Sequence, residues 1–537
     1  MASVLEGWVR LDAPQTAINN SRHTLTSSRD VQCMDPMTIL RTASKSAMCR
    51  SICIAAVAFS LGGCTSNVPS APDASLPSTV PTVRIEGPVP ELGTVLVSGV
   101  PHVRQKPDFC GEAATEMVLR AKGISFDQDA VFAMTGMDPA RGMGATTREL
   151  TRGLVNLGFD VGRVWHTARA AHAETDLGNL FRALHDDLKQ GIPSIVCTHF
   201  DEQPGTTEHF RLVLGYDHAT DEVVYSDPAI DKGGYMRMPR SRFLRLWPLR
   251  YGSEEWTVIR MRLAGTPAIL PMQPWNGFSA AQYAQHVMKL APMLQREHTV
   301  VIEPPFVVIG DESPEKVRAH AAGTVRWAVE HLKKDFFGKD PERILTIWLF
   351  GGKESYDAAV RKHFRRSPST PYGFYSSEHH ALVMNIATGG GTLVHEIVHP
   401  FVEANVPECP AWLNEGLGSL FEQSAERNGH IIGLTNWRLP GLQKAIVRAA
   451  VPSFHTLTHT TSDQFYNDDP GTNYAQSRYL LHHLQEHGLL LDFWRGYLKD
   501  RTTDPSGYTT LTKVLGEKNL DAFKMRWEKE VLGLSFP

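Results

Sequence analysis

The chain has 537 residues, 42% of them hydrophobic and 21% charged, which allows sizeable cores and several domain-sized units. Lys plus Arg total 54 against 58 Asp plus Glu, a net charge of −4, and no long like-charge run occurs. A nucleic-acid backbone calls for a basic excess that is missing here, so no nucleic-acid partner is expected.

Near the N-terminus, "MTILRTASKSAMCRSICIAAVAFSLGGC" starts at Met37 with Arg41, Lys45 and Arg50, continues through an apolar run at 52–61, and ends in small residues before Cys64. Positive segment, short apolar segment and small-residue site in that order are the marks of a secretory signal, assigned to residues 37–64. A ten-residue run cannot cross a bilayer of about 30 Å as a helix. "LGGC" resembles the lipobox of bacterial lipoproteins. That resemblance implies acylation of the Cys64 thiol and a product anchored by lipid to a membrane of the cell envelope, on the periplasmic face in a Gram-negative cell. Plain secretion with cleavage nearby is the alternative. The stretch before Met37 has no place in such a signal. Of seven cysteines, only Cys110, Cys197 and Cys409 remain as thiols after acylation at Cys64, and three scattered cysteines make no disulfide framework.

Residues 65–93 carry prolines at 69, 72, 77, 81, 88 and 90, which predicts an extended stalk. A first compact segment is expected over 94–263. The punctuated "AGTPAILPMQPWNGF" at 264–278 reads as a linker, and a second domain follows over 279–537. No internal repeat is visible.

In "QKPDFCGEAATEM", Ala114, Met117, Val118 and Ala121 recur at helical spacing, so Cys110 stands where a helix begins. A helix N-terminus favours thiolate over thiol. A free cysteine is also often a mere packing residue. Gln105, five residues upstream, could join the Cys110 backbone N–H in stabilising an oxyanion. Downstream, "EHFRLVLGYDHATDEVVYSDPA" is two alternating runs about a short polar turn. With the turn centred near Ala219, His209 faces position 229 and Asp227 is its diagonal neighbour on the same face. Cysteine, histidine base and carboxylate orienter follow triad logic. "VPHVRQKPDFCGEAATEMVL" with "HFRLVLGYD" and "VVYSDPA" resembles the papain-like cysteine peptidases of the bacteriocin-processing, double-glycine-leader type. The resemblance implies Cys110 as nucleophile, His209 as general base, Asp227 as orienter and Gln105 as oxyanion donor. Arg211 departs from the family, which has an apolar residue there.

In the second domain, "TVVIEPPFVVIGD", "RILTIWLF" and "ALVMNI" read as strands, and Ser313 and Pro314 as the N-cap and first position of a helix. Long helical stretches cluster towards the C-terminus, so the fold class expected is α+β. "VHEIVHPFVEANVPECPAWLNEG" places His395 and His399 on one helix face, about 6 Å apart along the axis. With 23 histidines in the chain such a pair alone carries no weight. Glu396 follows the first histidine directly, as a water-activating base requires. Glu403 lies about 12 Å along the axis, too far for metal bonds of about 2 Å. The third ligand should come from a second helix after the turn at Pro407 and Pro410, which presents Glu415; Cys409 is the second choice.

This order resembles the gluzincin metallopeptidases. The resemblance implies zinc on His395, His399 and Glu415, with Glu396 as general base. Ser419 stands where an Asp often orients a ligand histidine, which implies a weak supporting shell. Pro400 should bend the first helix. "ALVMNI" is then the edge strand along which a peptide lies, and Tyr474 is an oxyanion donor or a packed core tyrosine. A further pair, His483 and His487 in "HLQEH", reads as the solvated last turn of a helix ending at Gly488.

The expectation is thus a papain-like cysteine peptidase domain followed by a zincin-like metallopeptidase domain, acting on peptides or envelope peptide cross-links. Two other classes stay open: a peptide-binding envelope protein without turnover, and a Cys110-dependent acyl transferase of transglutaminase type. Oligomeric state and natural substrate are not legible.

Overall fold

Short runs of Val, Ile, Leu and Tyr, apolar on both faces, build the first sheet. The computed structural model describes residues 92–267, 277–368, 370–376 and 378–536. The signal at 37–64, with Cys64, lies outside them, as do most of the stalk and the centre of the linker. Seven strands form this sheet: β1 (Val95–Leu96), β2 (Trp165–Arg169), β3 (Ser194–His199), β4 (Glu208–Asp217), β5 (Glu222–Ser226), β6 (Met236–Pro239) and β7 (Glu255–Arg262). The order is β2-β7-β3-β4-β5-β6, with β1 also on β4, and every pairing is antiparallel.

Both faces of this sheet are covered. Phe210, Leu212 and Leu214 of β4 pack with the helix Cys110–Ala121, through Ala114, Met117 and Val118. Val213 and Tyr216 pack with Phe181 and Leu184 of the helix Ala173–Lys189. The change of parity between Leu214 and Tyr216 is the work of a bulge between Val213 and Gly215, where one extra residue flips the side chains that follow.

The second sheet contains β8 (Thr299–Glu303), β9 (Phe306–Gly310), β10 (Leu345–Phe350), β11 (Gly373–Ser376) and β12 (Ala381–Asn385), in the order β11-β12-β10-β9-β8. Strands β9, β10 and β12 are parallel, while β8 and β11 are antiparallel to their neighbours. The "ALVMNI" strand is therefore not the edge. Every residue of β12 is buried, as suits a strand paired on both sides, and the less fully buried "GFYS" of β11 takes the edge. Pro314 opens a helix as expected, but Ser313 gives it no side-chain cap, and the helix runs into a π-helical stretch at Ala321–Arg326. Beyond the sheet the histidine helix (Gly391–Asn405), the glutamate helix (Ala411–Phe421) and the tyrosine helix (Pro470–Glu486) share one large core. The histidine helix continues without a break through Pro400. Mixed helix and sheet in both halves make the fold α+β.

The helix Ala280–Leu290 helps to join the halves. Ala280, Ala281 and Ala284 of Ala280–Leu290 pack on Phe109 and Phe132, whose rings stack at 5.0 Å. Gln285 Nε2 donates to the Pro107 carbonyl at 2.9 Å. The residues leading into Cys110 are thus seated on the first helix of the C-terminal half. Ala281 is fully buried, so Ala281→Phe overpacks this seat. The expected result is a loss of about 1–3 kcal/mol in urea unfolding, together with a changed rate of Cys110 alkylation as Pro107–Phe109 shift.

Candidate active sites

A charge inside an apolar hairpin needs a partner, and Asp227 has two. The ladder pairs Leu212 with Ser226 and Val213 with Tyr225; continued, it sets Arg211 opposite Asp227 and His209 opposite Ala229. His209 Nε2 lies 2.7 Å from Asp227 Oδ1, and Arg211 Nε donates to Asp227 Oδ2 at 2.9 Å. The Ala229 N–H also donates to Oδ1, at 2.9 Å. All three side chains are buried. Arg211 spends its remaining donors on the end of β3 and the turn after it: Thr198 Oγ1, the His199 carbonyl at 3.0 Å and the Phe200 carbonyl at 2.8 Å. The arginine therefore locks the carboxylate and the adjacent strand end together.

With Nε2 committed to Asp227, the other ring nitrogen of His209 is left for Cys110, whose side chain hydrogen-bonds the imidazole. Burial alone pulls the imidazole pKa down, but the contacts with Asp227 and Cys110 outweigh it and leave it above its ordinary value. Asp227 goes the other way: burial raises its pKa, while His209, Arg211 and the Ala229 N–H together hold it far below the usual carboxylate range. Cys110 is buried as the first residue of its helix. Gln105 is tied to the same loop through its N–H, which donates to the Pro228 carbonyl at 3.0 Å. Its side-chain oxygen is buried without a hydrogen-bond partner.

Two acids flanking the cysteine escaped the sequence reading. Asp108 adopts φ 61° and accepts from the Gly144 N–H at 2.8 Å, while Glu112 is fully buried and accepts from the Ala145 N–H at 2.7 Å. A Cβ on Gly144 would stand 1.9 Å from the Asp108 carbonyl oxygen, so only glycine allows this clamp. Burial, first of its causes, raises the Glu112 carboxyl pKa well above its ordinary value.

The second group lies where three helices meet. His395 Nε2 is 3.2 Å and His399 Nε2 3.8 Å from Glu415 Oε2, and one ligand atom from each residue falls within 4.8 Å of the others. Helix crossing at this range demands small residues. A Cβ on Gly391 would be 2.1 Å from the Glu422 carbonyl oxygen, and one on Gly418 would be 3.1 Å from the His395 ring. Cys409, a free thiol in the turn before the glutamate helix, is outside the group, as is Glu403.

Support for the imidazoles comes from residues that the sequence reading missed. His399 Nδ1 is 2.9 Å from Asn414 Oδ1, and His395 Nδ1 is 3.1 Å from Glu422 Oε1. Glu422 is in turn held by Arg438, at 2.9 and 2.6 Å, and by Asn436 Nδ2 at 3.1 Å. The expected weak shell at Ser419 is corrected: its buried hydroxyl has no partner, and the orienting carboxylate stands at Glu422, seven residues beyond Glu415 on the same face. The Tyr466 hydroxyl donates to Glu415 Oε1 at 2.7 Å. Tyr474 faces the same carboxylate, its ring 6.4 Å from that of His395. Burial opposes charge on His395, yet Glu415 and Glu422 raise its pKa to about 10, and both carboxylates, despite burial, fall to about 2. Two imidazoles and a carboxylate with a hydrogen-bonded surround fit a borderline divalent ion such as zinc, which would displace that proton. Beside them opens a cavity of about 840 Å³ lined by Glu396, His395, Tyr474, Trp327 and the rim at Tyr372–Gly373.

Asp227→Asn tests the hairpin lock. It strands a buried guanidinium, which should cost about 3–5 kcal/mol in urea unfolding at pH 7. Because the folded carboxyl titrates below the unfolded one, the wild-type contribution is complete above about pH 4 and is lost as pH falls further. The gap between wild type and variant should therefore narrow on acidification.

Among known proteins, residues 97–254 match the model of the Peptidase_C39 like family, under a third of the chain and containing Cys110, His209 and Asp227. No curated protein matches the chain. The N-terminal part of this protein is cysteine peptidase-like.

Proposed function

We propose that the chain is an exported peptide-bond hydrolase with two separate sites, one using the Cys110 thiol and one using zinc. The observation that carries this reading is the buried Asp227–His209 pair standing at Cys110 within the segment that matches a peptidase family. In the thiol site His209 takes the Cys110 proton and the sulfur attacks the scissile carbonyl. The Gln105 amide and the Cys110 N–H donate to the oxyanion. His209 then returns the proton to the leaving amine, and a water deprotonated by His209 releases the acyl group as acid. Asp227 holds the imidazole in the tautomer that this exchange needs.

In the second site His395, His399 and Glu415 would hold the metal. Zinc supplies, when bound, Lewis-acid polarisation of the carbonyl and a nucleophile near neutral pH. Glu396 follows His395 on the helix and lines the cavity, where it accepts the proton of the attacking water. Tyr474 lines the same cavity and would donate to the oxyanion, while Tyr466 orients Glu415. Among the described residues the outer edge of β11, beside the cavity, has no strand partner and suits an extended peptide added as a further strand. The substrates are accordingly peptides or peptide cross-links of the envelope.

Export, acylation of Cys64 and lipid anchoring belong to the same proposal and rest on residues 37–64. Among the described residues no helix is long and apolar enough to cross a membrane.

Peptide turnover by Cys110→Ala and Glu396→Gln variants, singly and together, tests the reading. Each variant should lose one activity, the second by about 10²–10⁴-fold, and only the Glu396-dependent activity should respond to chelators. Unchanged rates in both variants would contradict hydrolysis at these sites and leave peptide binding as the function. An amine-capped product in place of the acid would assign Cys110 to acyl transfer.

A further inference from the structure

The "HLQEH" pair does not sit in a merely solvated turn. His483 lies in the last turn of the tyrosine helix and His487 caps it, but the C-terminal helix (Leu520–Gly533) crosses over them and brings in Glu530. His483 Nδ1 is 2.8 Å and His487 Nε2 3.5 Å from the same oxygen, Glu530 Oε2. The two rings lie 4.2 Å apart, tilted by 37°. One ligand atom from each of the three residues falls within 4.8 Å of the others, as at His395, His399 and Glu415. A tetrahedral zinc site with bonds of about 2.0–2.1 Å sets its ligand atoms about 3.3–3.4 Å apart, so the two separations from Glu530 Oε2 bracket what an ion requires.

We propose that His483, His487 and Glu530 form a second binding site for a borderline divalent ion, zinc, cobalt or nickel, which pins the C-terminal helix to the tyrosine helix. Two imidazoles and one carboxylate are the donor set such ions prefer. The side chains of His487 and Glu530 are 53% and 37% exposed, so the ion has a route in and water can complete its shell. The site is not a second catalytic centre. Glu486, the glutamate that an inverted H-x-x-E-H motif would use as base, is held by Arg427 at 2.8 Å and by Gln485 at 2.8 Å. The ion's work is mechanical: it would fasten the far end of the helix whose near end carries Tyr474.

Equilibrium dialysis of the metal-stripped full chain against micromolar free zinc, with cobalt as a spectroscopic stand-in, measures the stoichiometry. His487→Ala and Glu530→Gln should each remove one equivalent relative to wild type, together with its cobalt absorption and its zinc-induced rise in Tm. His395→Ala should remove a different equivalent and leave that rise in place. His487 is half exposed and Glu530→Gln keeps the side-chain shape, so both variants should fold, which circular dichroism checks. If the catalytic reading fails, wild type binds a single ion, and that ion is lost in His487→Ala but not in His395→Ala. Wild-type stoichiometry and cobalt spectrum in both His487→Ala and Glu530→Gln, or no ion lost by either, would overturn the proposal.

Discussion

The Asp227 carboxylate is the constraint on which the N-terminal site depends. A lone carboxylate buried between two sheet-covering cores would be expelled or protonated. Here it stays ionised because one oxygen receives His209 and Ala229 while the other receives Arg211. Those bonds exist only in one register. A slip of one residue along the hairpin would carry His209 and Arg211 to the opposite face. The bulge after Val213 falls on the turn side of the site, so the hairpin twists without disturbing the pairs that matter. The geometry around Asp227 and the strand register are therefore the same fact seen at two scales.

The C-terminal half solves a parallel problem with helices. An imidazole between two carboxylates is stable only if the helices bearing them come very close, and glycines at 391 and 418 permit that approach. The outer carboxylate, Glu422, is neutralised by Arg438, so the cluster is closed by charge as well as by packing. The π-helical stretch, with Gly323 and Thr324, also lines the cavity, a backbone irregularity beside the cluster. The two halves are not independent bodies. Gln285 and the alanines around it support the turn that delivers Cys110, so an insult to the C-terminal half can reach the thiol without touching it.

Much of this was legible in the residues. The distance from His209 to Asp227 around a short polar turn dictates a shared face, and the ladder near the site has the expected pairing. Two prolines after the histidine helix require a new helix, and Glu415 is where that helix presents its first acid. What stayed hidden depended on contacts between distant segments. Arg211 read as a family departure, although a charge between Phe210 and Leu212 in a buried strand already implied a counter-ion nearby. Glu422 was within reach, because seven residues after Glu415 is two helical turns on the same face. Tyr466 carried no signal at all, since its place depends on how a short helix 51 residues on folds back over Glu415. The edge strand was misjudged because "ALVMNI" is the more apolar run, and apolar runs mark interior strands.

Selective alkylation at neutral pH tests the central claim most directly. The described residues contain three cysteines outside any disulfide, and burial raises the pKa of Cys197 and Cys409. Peptide mapping after limited treatment with iodoacetamide should find the label on Cys110 ahead of the other two, and the rate should collapse in His209→Ala. Labelling of Cys110 no faster than of Cys409, or at an equal rate in wild type and His209→Ala, would contradict the account.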